Sequence, residues 1–146
     1  MTVTWKFTWA FLLSVTFIPT TSFAEGGKIE SISPEKLAYD VTPEGVAFAP
    51  LMGKRFTEAY MAMVRLPAGL ESPVHTKSAN MFGVVISGEM THSPPGTPTD
   101  AEIILPAGSF YKIPQDLPHV SKCVSTVECV TFLYQDGKFD FRPVKN

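Results

Sequence analysis

The chain has 146 residues, 45% of them hydrophobic and 18% charged, with thirteen prolines and ten glycines. That is enough for one packed, turn-rich domain and too apolar for a disordered tail. The formal net charge is −2 and no Lys/Arg cluster follows the N-terminus, which removes the basic face that nucleic-acid binding requires, so no nucleic-acid partner is expected.

The first element is a secretory signal. Residues 1–6 carry one positive charge, residues 7–18 (FTWAFLLSVTFI) are uncharged and apolar, and Pro19 ends the run. Ser22 and Ala24 then place small residues three and one positions before Glu25, the layout of a signal peptide cleaved after Ala24. A membrane-spanning helix needs ~20 apolar residues, so the run is too short to remain as an anchor. The mature protein, 122 residues with eleven basic and fourteen acidic side chains, is expected to be periplasmic or secreted.

Residues 25–35 read as an N-terminal arm, and 33–37 can open a short helical turn at Ser33-Pro34-Glu35. Strands are expected over residues 37–41, 46–49, 59–66, 81–87, 101–105, 109–113, 120–123, 129–134 and 139–141, all rich in Val, Ile, Phe, Tyr or Met. Pro-Ala-Gly at 67–69, Ser-Gly at 87–88, Pro-Pro-Gly at 94–96, Pro-Ala-Gly at 106–108 and Asp-Gly at 136–137 punctuate them. Short strands at this spacing imply a sandwich or barrel. His92 falls in the proline-rich stretch and reads as an exposed loop residue. Cys123 and Cys129 flank five residues, and in an oxidising compartment they are expected to pair, contributing about 2 kcal/mol on the chain-entropy account.

The two Pro-Ala-Gly turns carry a resemblance. Gly69, His75 and Gly88 stand in the register of one motif, and Gly108, Pro114 and His119 in that of a second, with nineteen residues separating Gly88 from Gly108. This arrangement resembles the paired motifs of the cupin superfamily. A weaker similarity links residues 78–80 (Ser-Ala-Asn) and 138–141 (Lys-Phe-Asp-Phe) to a subgroup of secreted cupin-like proteins. The resemblance implies an all-β, single-domain fold, a double-stranded β-helix (jelly-roll) barrel over residues 36–142. By analogy with edge-strand pairing in such barrels it also implies a homodimer.

The departures from the motifs shape the functional reading. Lys77 stands where the second histidine belongs, Met81 where the glutamate belongs, Asp116 replaces a glycine and Cys123 an asparagine. Of the four implied ligand positions only His75 and His119 keep a metal donor of the family type. Three functions stay open. A metal-free pocket would bind a small, anionic molecule through His75, Lys77, Met81 and His119, with Lys77 supplying charge and Met81, Val85 and Phe132 the apolar walls. The imidazoles would hydrogen-bond or titrate near neutral pH. A metal-dependent cupin enzyme of dioxygenase, isomerase or lyase type would hold one divalent transition metal on His75 and His119. A soft-metal site would bind copper through His75, Met81 and His119. The binding reading accounts for the lysine most directly.

Overall fold

The structure, a computed structural model, describes residue 1 and residues 27–145. Apart from Met1, the signal segment 1–24 lies outside the described residues, as does its cleavage point. The chain divides into residues 1–31 and residues 32–146, and the architecture below is that of the second unit.

Ten antiparallel strands build it: β1 Asp40–Val41, β2 Ala47–Met52, β3 Tyr60–Leu66, β4 His75–Thr76, β5 Met81–Ser87, β6 Met90–Ser93, β7 Phe110–Ile113, β8 Val120–Cys123, β9 Cys129–Gln135 and β10 Arg142–Pro143. One sheet has the order β1-β2-β3-β9-β5-β7. The other wall is discontinuous. It consists of the pairs β10–β4 and β6–β8, stitched by bridges between Glu71 and Lys122 and between His75 and His119. Burial alternates along β3, β5 and β9, as period-two strands with one face on the core require. The buried face of the large sheet (Tyr60, Ala62, Val64, Met81, Val85, Leu133) joins Met90 and Cys123 of the second wall in one apolar core. This is the jelly-roll of a cupin.

One departure from the motifs and one close approach have a backbone explanation. Asp116 has φ 57°, a left-handed conformation that suits glycine and that Asp tolerates better than most residues. Its amide donates to Lys77 O at 2.8 Å, and its carboxylate accepts Arg142 Nη1 at 3.4 Å. A Cβ on Gly83 would lie 2.2 Å from the Tyr111 ring, so the absence of a side chain lets that ring lie across β5. Cys123 and Cys129 form a disulfide that ties β8 to β9.

The 3-10 turn at Pro34–Lys36 and strands β5 and β8 fall where the sequence places them. Three expectations need correction. Residues 101–105 are not a strand. A 3-10 turn covers Thr99–Ala101, only Leu105 bridges, to Met90, and Ile103 and Ile104 are exposed. Residues 139–141 do not pair either; pairing begins one residue later in β10, while Phe139 is buried in the core. His92 is not in a loop: it lies in β6, opposite Ser121 of β8.

Candidate functional site

A cavity of about 400 Å³ opens between the two walls, within the range of roughly 300–1,000 Å³ typical of small-molecule sites. His75, Lys77 and Met81 line it together. Residues 75, 77 and 81 are all buried, consistent with the alternation that puts 75 and 77 on one face.

His75 is held from both sides. Its Nδ1 donates to Pro73 O at 2.9 Å, which leaves Nε2 as the acceptor nitrogen. Phe141 stacks on the ring with centroids 4.1 Å apart. Burial pushes its pKa down to about 3, the Pro73 hydrogen bond opposes this, and Lys77, His119 and His92 reinforce it. The imidazole is therefore neutral near pH 7 rather than titrating there.

Lys77 is 3% exposed. Its Nζ donates to the backbone oxygen of Asp140 at 2.9 Å and sits 4.0 Å from the Phe139 ring centroid. The Asp140 carboxylate is engaged elsewhere, accepting Ser78 N at 2.8 Å and Arg142 Nε at 3.1 Å. Burial lowers the lysine pKa to about 7, against the pull of Asp140 and with the push of Arg55. A backbone carbonyl and an aromatic face thus stand in for a counter-ion.

His119 does not line this cavity. It faces a smaller one of about 250 Å³, together with Leu117, Ile113 and His92. It nevertheless forms a cross-strand pair with His75, with His75 N donating to His119 O at 3.1 Å and His119 N to His75 O at 3.0 Å. The two ring centroids are 4.1 Å apart. Its Nδ1 donates to Leu117 O at 2.9 Å, the same i−2 carbonyl arrangement as His75, and its Nε2 is buried without a partner. Two wall assignments also change. Phe132 alternates to the outer face of β9 and its neighbour Leu133 lines the cavity instead; Val85 is buried in the core but not on the cavity surface.

Two residues missed by sequence reasoning join the site. His92 lines both cavities, its ring 4.2 Å from Tyr111, its Nδ1 2.9 Å from Ser121 Oγ and its Nε2 buried and unpartnered. Burial lowers its pKa to about 3, with His119 adding to the effect. Arg55, in the connection from β2 to β3, lies with its guanidinium carbon 3.6 Å from the Phe48 ring centroid and lines the main cavity. Asn80, at the entry to β5, pins two loops. Its amide group donates to Asp136 at 2.7 Å and its Oδ1 accepts Gln115 N at 3.1 Å.

The metal reading meets a geometric test here. Among the described residues no group of three or more His, Cys, Asp or Glu side chains is placed to hold a metal ion. Of the thioether set, His75 and Met81 line the larger cavity, and the His119 ring lies 4.1 Å from that of His75. The residues present do not fit the divalent centre that the resemblance implies.

Comparison with known proteins places the fold. No curated protein matches the chain. Among solved structures it is similar to the polyketide cyclase RemF from Streptomyces resistomycificus, with 13% identity over 82% of this chain and 87% of that one and a TM-score of 0.64. It is also similar to an RmlC-like cupin from Shewanella frigidimarina, with 16% identity, 75% and 92% coverage and a TM-score of 0.57. An oxalate oxidase matches at 21% identity and a TM-score of 0.58 over 82% of this chain, which spans 66% of that enzyme. The family described as "Domain of unknown function (DUF4437)" matches residues 32–142. With most of its length inside that match, the chain belongs to this family, and its barrel has the fold of the RmlC-like cupin.

Proposed function

We propose that this protein is a metal-independent binding module that takes a small anionic molecule into the barrel cavity. The observation that carries the reading is Lys77, a cation buried at the cavity wall on a backbone carbonyl and an aromatic ring rather than on a carboxylate. A charge buried without a counter-ion is costly, and an anionic ligand offsets that cost at the moment of binding. Val64, Leu66, Met81 and Leu133 supply an apolar wall for the rest of the molecule. His75, kept neutral, offers a hydrogen-bond acceptor at Nε2, and a ligand hydroxyl is the matching donor. Export supports a binding role outside the cytoplasm: the signal-type segment 1–24 and the buried Cys123–Cys129 disulfide both favour an oxidising compartment.

The test is a thermal-shift screen of small carboxylates on residues 25–146, purified without a tag and dialysed against chelator, alongside elemental analysis. Stabilisation of the chelated protein that disappears in Lys77→Glu is the expected result. A near-stoichiometric metal lost in His75→Ala, with ligand effects only in its presence, would put the metal-dependent enzyme in its place, and copper would restore the thioether site.

A further inference from the structure

We infer that Arg55 is the anchor for the ligand's charge, and that the ligand is a planar monocarboxylate with an apolar body of aryl or branched-alkyl size. This rests on the anion-binding reading above and extends it to a residue on a different element.

Arg55 is held against aromatic rings and leaves a polar edge free. Its guanidinium carbon lies 3.6 Å from the Phe48 centroid and 4.9 Å from those of Phe56 and Phe139. Stacking of this kind fixes the plane of the group and leaves its in-plane N–H edge for a partner. Among the described residues the carboxylate ion pairs belong to Arg65, Lys122 and Arg142, and Arg55 has none. Its Nε is buried without any hydrogen-bond acceptor. An N–H withdrawn from water and left unpaired costs free energy, yet here it belongs to a side chain that lines an open cavity. Thr42 repeats the pattern, lining the same cavity with a buried, unpartnered Oγ1. The Arg55 guanidinium, stacked on a ring, without a carboxylate partner and lining the cavity, is a planar donor group of the kind that receives a carboxylate in its own plane.

The surroundings narrow the ligand further. Lys77 lies against the same Phe139 ring as Arg55 and lines the same cavity. Arg55 stays protonated under all ordinary conditions and holds the permanent charge, while Lys77 is already bonded to Asp140 O. Of the carboxylates on the cavity, Glu71 is paired to Lys122 at 3.4 Å and Glu44 is exposed, leaving the interior without an acid of its own. Phosphate or sulfate would leave most of its oxygens facing Phe48, Val64, Leu66 and Phe139, which donate nothing. A flat carboxylate on an apolar body fits the donors with its head and the walls with its remainder.

The test uses 2-naphthoate and its neutral counterpart 2-naphthamide, titrated calorimetrically into chelated residues 25–146 of the wild type, Arg55→Gln, Arg55→Lys and Lys77→Met. The wild type is expected to prefer the acid. Arg55→Gln should lose at least about tenfold of that preference while its affinity for the amide stays within about twofold, and Arg55→Lys should recover part of the loss. The ratio of acid to amide is the readout that a merely structural packing role for Arg55 would not move. Acid binding unchanged in Arg55→Gln but lost in Lys77→Met would overturn the assignment of Arg55 and leave the anion-binding reading standing. A wild type that binds inorganic phosphate in preference to naphthoate would overturn the ligand class. Binding of neither naphthoate nor phosphate would overturn both the inference and the reading beneath it.

Discussion

The two sides of the cavity treat charge in opposite ways. On one side Arg55 and Lys77 share the Phe139 ring, with Phe48 and Phe141 around them. On the other, His75, stacked on that same Phe141 ring, is buried, and His92 lies half-buried against Tyr111. The aromatic side keeps cations in place by ring faces and a backbone carbonyl. The imidazole side keeps its groups uncharged by desolvation. Burial lowers the pKa on both sides, to about 3 at the imidazoles and to about 7 at Lys77, where Asp140 opposes it. A ligand entering this space meets charge recognition on one side and neutral hydrogen-bonding groups on the other.

Removing the ring that the cations share should do the most damage. Phe139 is buried, 5.1 Å from Phe48 and 6.1 Å from Tyr60 between ring centroids. Phe139→Ala is expected to cost about 3–5 kcal/mol of stability and to abolish carboxylate binding, as urea unfolding and calorimetry would record. A loss below about 1 kcal/mol would mean that the ring is not a structural platform.

Charge reversal comes next. Lys77→Glu should weaken carboxylate binding by about a hundredfold. Lys77→Met, which removes a desolvated cation and keeps its length, should leave the melting temperature unchanged or raise it. A strongly destabilised Lys77→Met would show that the Asp140 contact outweighs the desolvation.

Acidity separates the sides without mutation. In the unfolded chain His75 and His92 take up protons near 6.5, whereas in the fold they do so only near 3. The unfolded state therefore binds more protons between these values. The stability these two contribute is complete above pH 6.5 and is lost as pH falls toward 3. Lys77 has the same sign in a higher window: its pKa drops from 10.5 to about 7 on folding, so its contribution makes the fold more stable as pH rises from 7 to 10.5. Carboxylate affinity should move the other way, declining above pH 7 as Lys77 loses its proton and levelling at what Arg55 retains. Affinity independent of pH across that window would remove Lys77 from the site.

The smallest effect belongs to His119. It touches His75 but faces the second cavity, so His119→Ala should change carboxylate affinity by no more than about twofold. A larger change would merge the two cavities into one functional unit.

Much of this was legible in the chain. Strands β5 and β8 are legible as short runs with Val, Ile, Phe or Met beside turn residues, Ser-Gly closing β5 and Pro118 preceding β8. His75, Lys77 and Met81 of the first motif line one cavity. What failed depended on distant contacts. Met90-Thr91-His92-Ser93 lacks a strong strand signature and runs into two prolines, and its pairing with residues 120–123 comes from across the barrel. Ile103 and Ile104 read as strand residues, yet they are exposed, and of that stretch Leu105 alone bridges, to Met90. Arg55 offered no local signal at all. Its environment is made by Phe48 from the preceding strand and Phe139 from near the chain's end, so its burial against aromatic rings exists only in the folded chain. Phe132 and Leu133 show how a one-residue shift along a strand moves a side chain from cavity to outer face.

The central claim is that an anion binds here without a metal. Calorimetric titration of chelated residues 25–146 with 2-naphthoate at pH 6, repeated after reloading with Fe, Mn, Ni, Zn or Cu, tests it most directly. Saturable binding to the chelated protein, unchanged by any of the metals, is the predicted result. Heat that appears only once a metal is restored would contradict it and return His75 and His119 to the role of metal ligands.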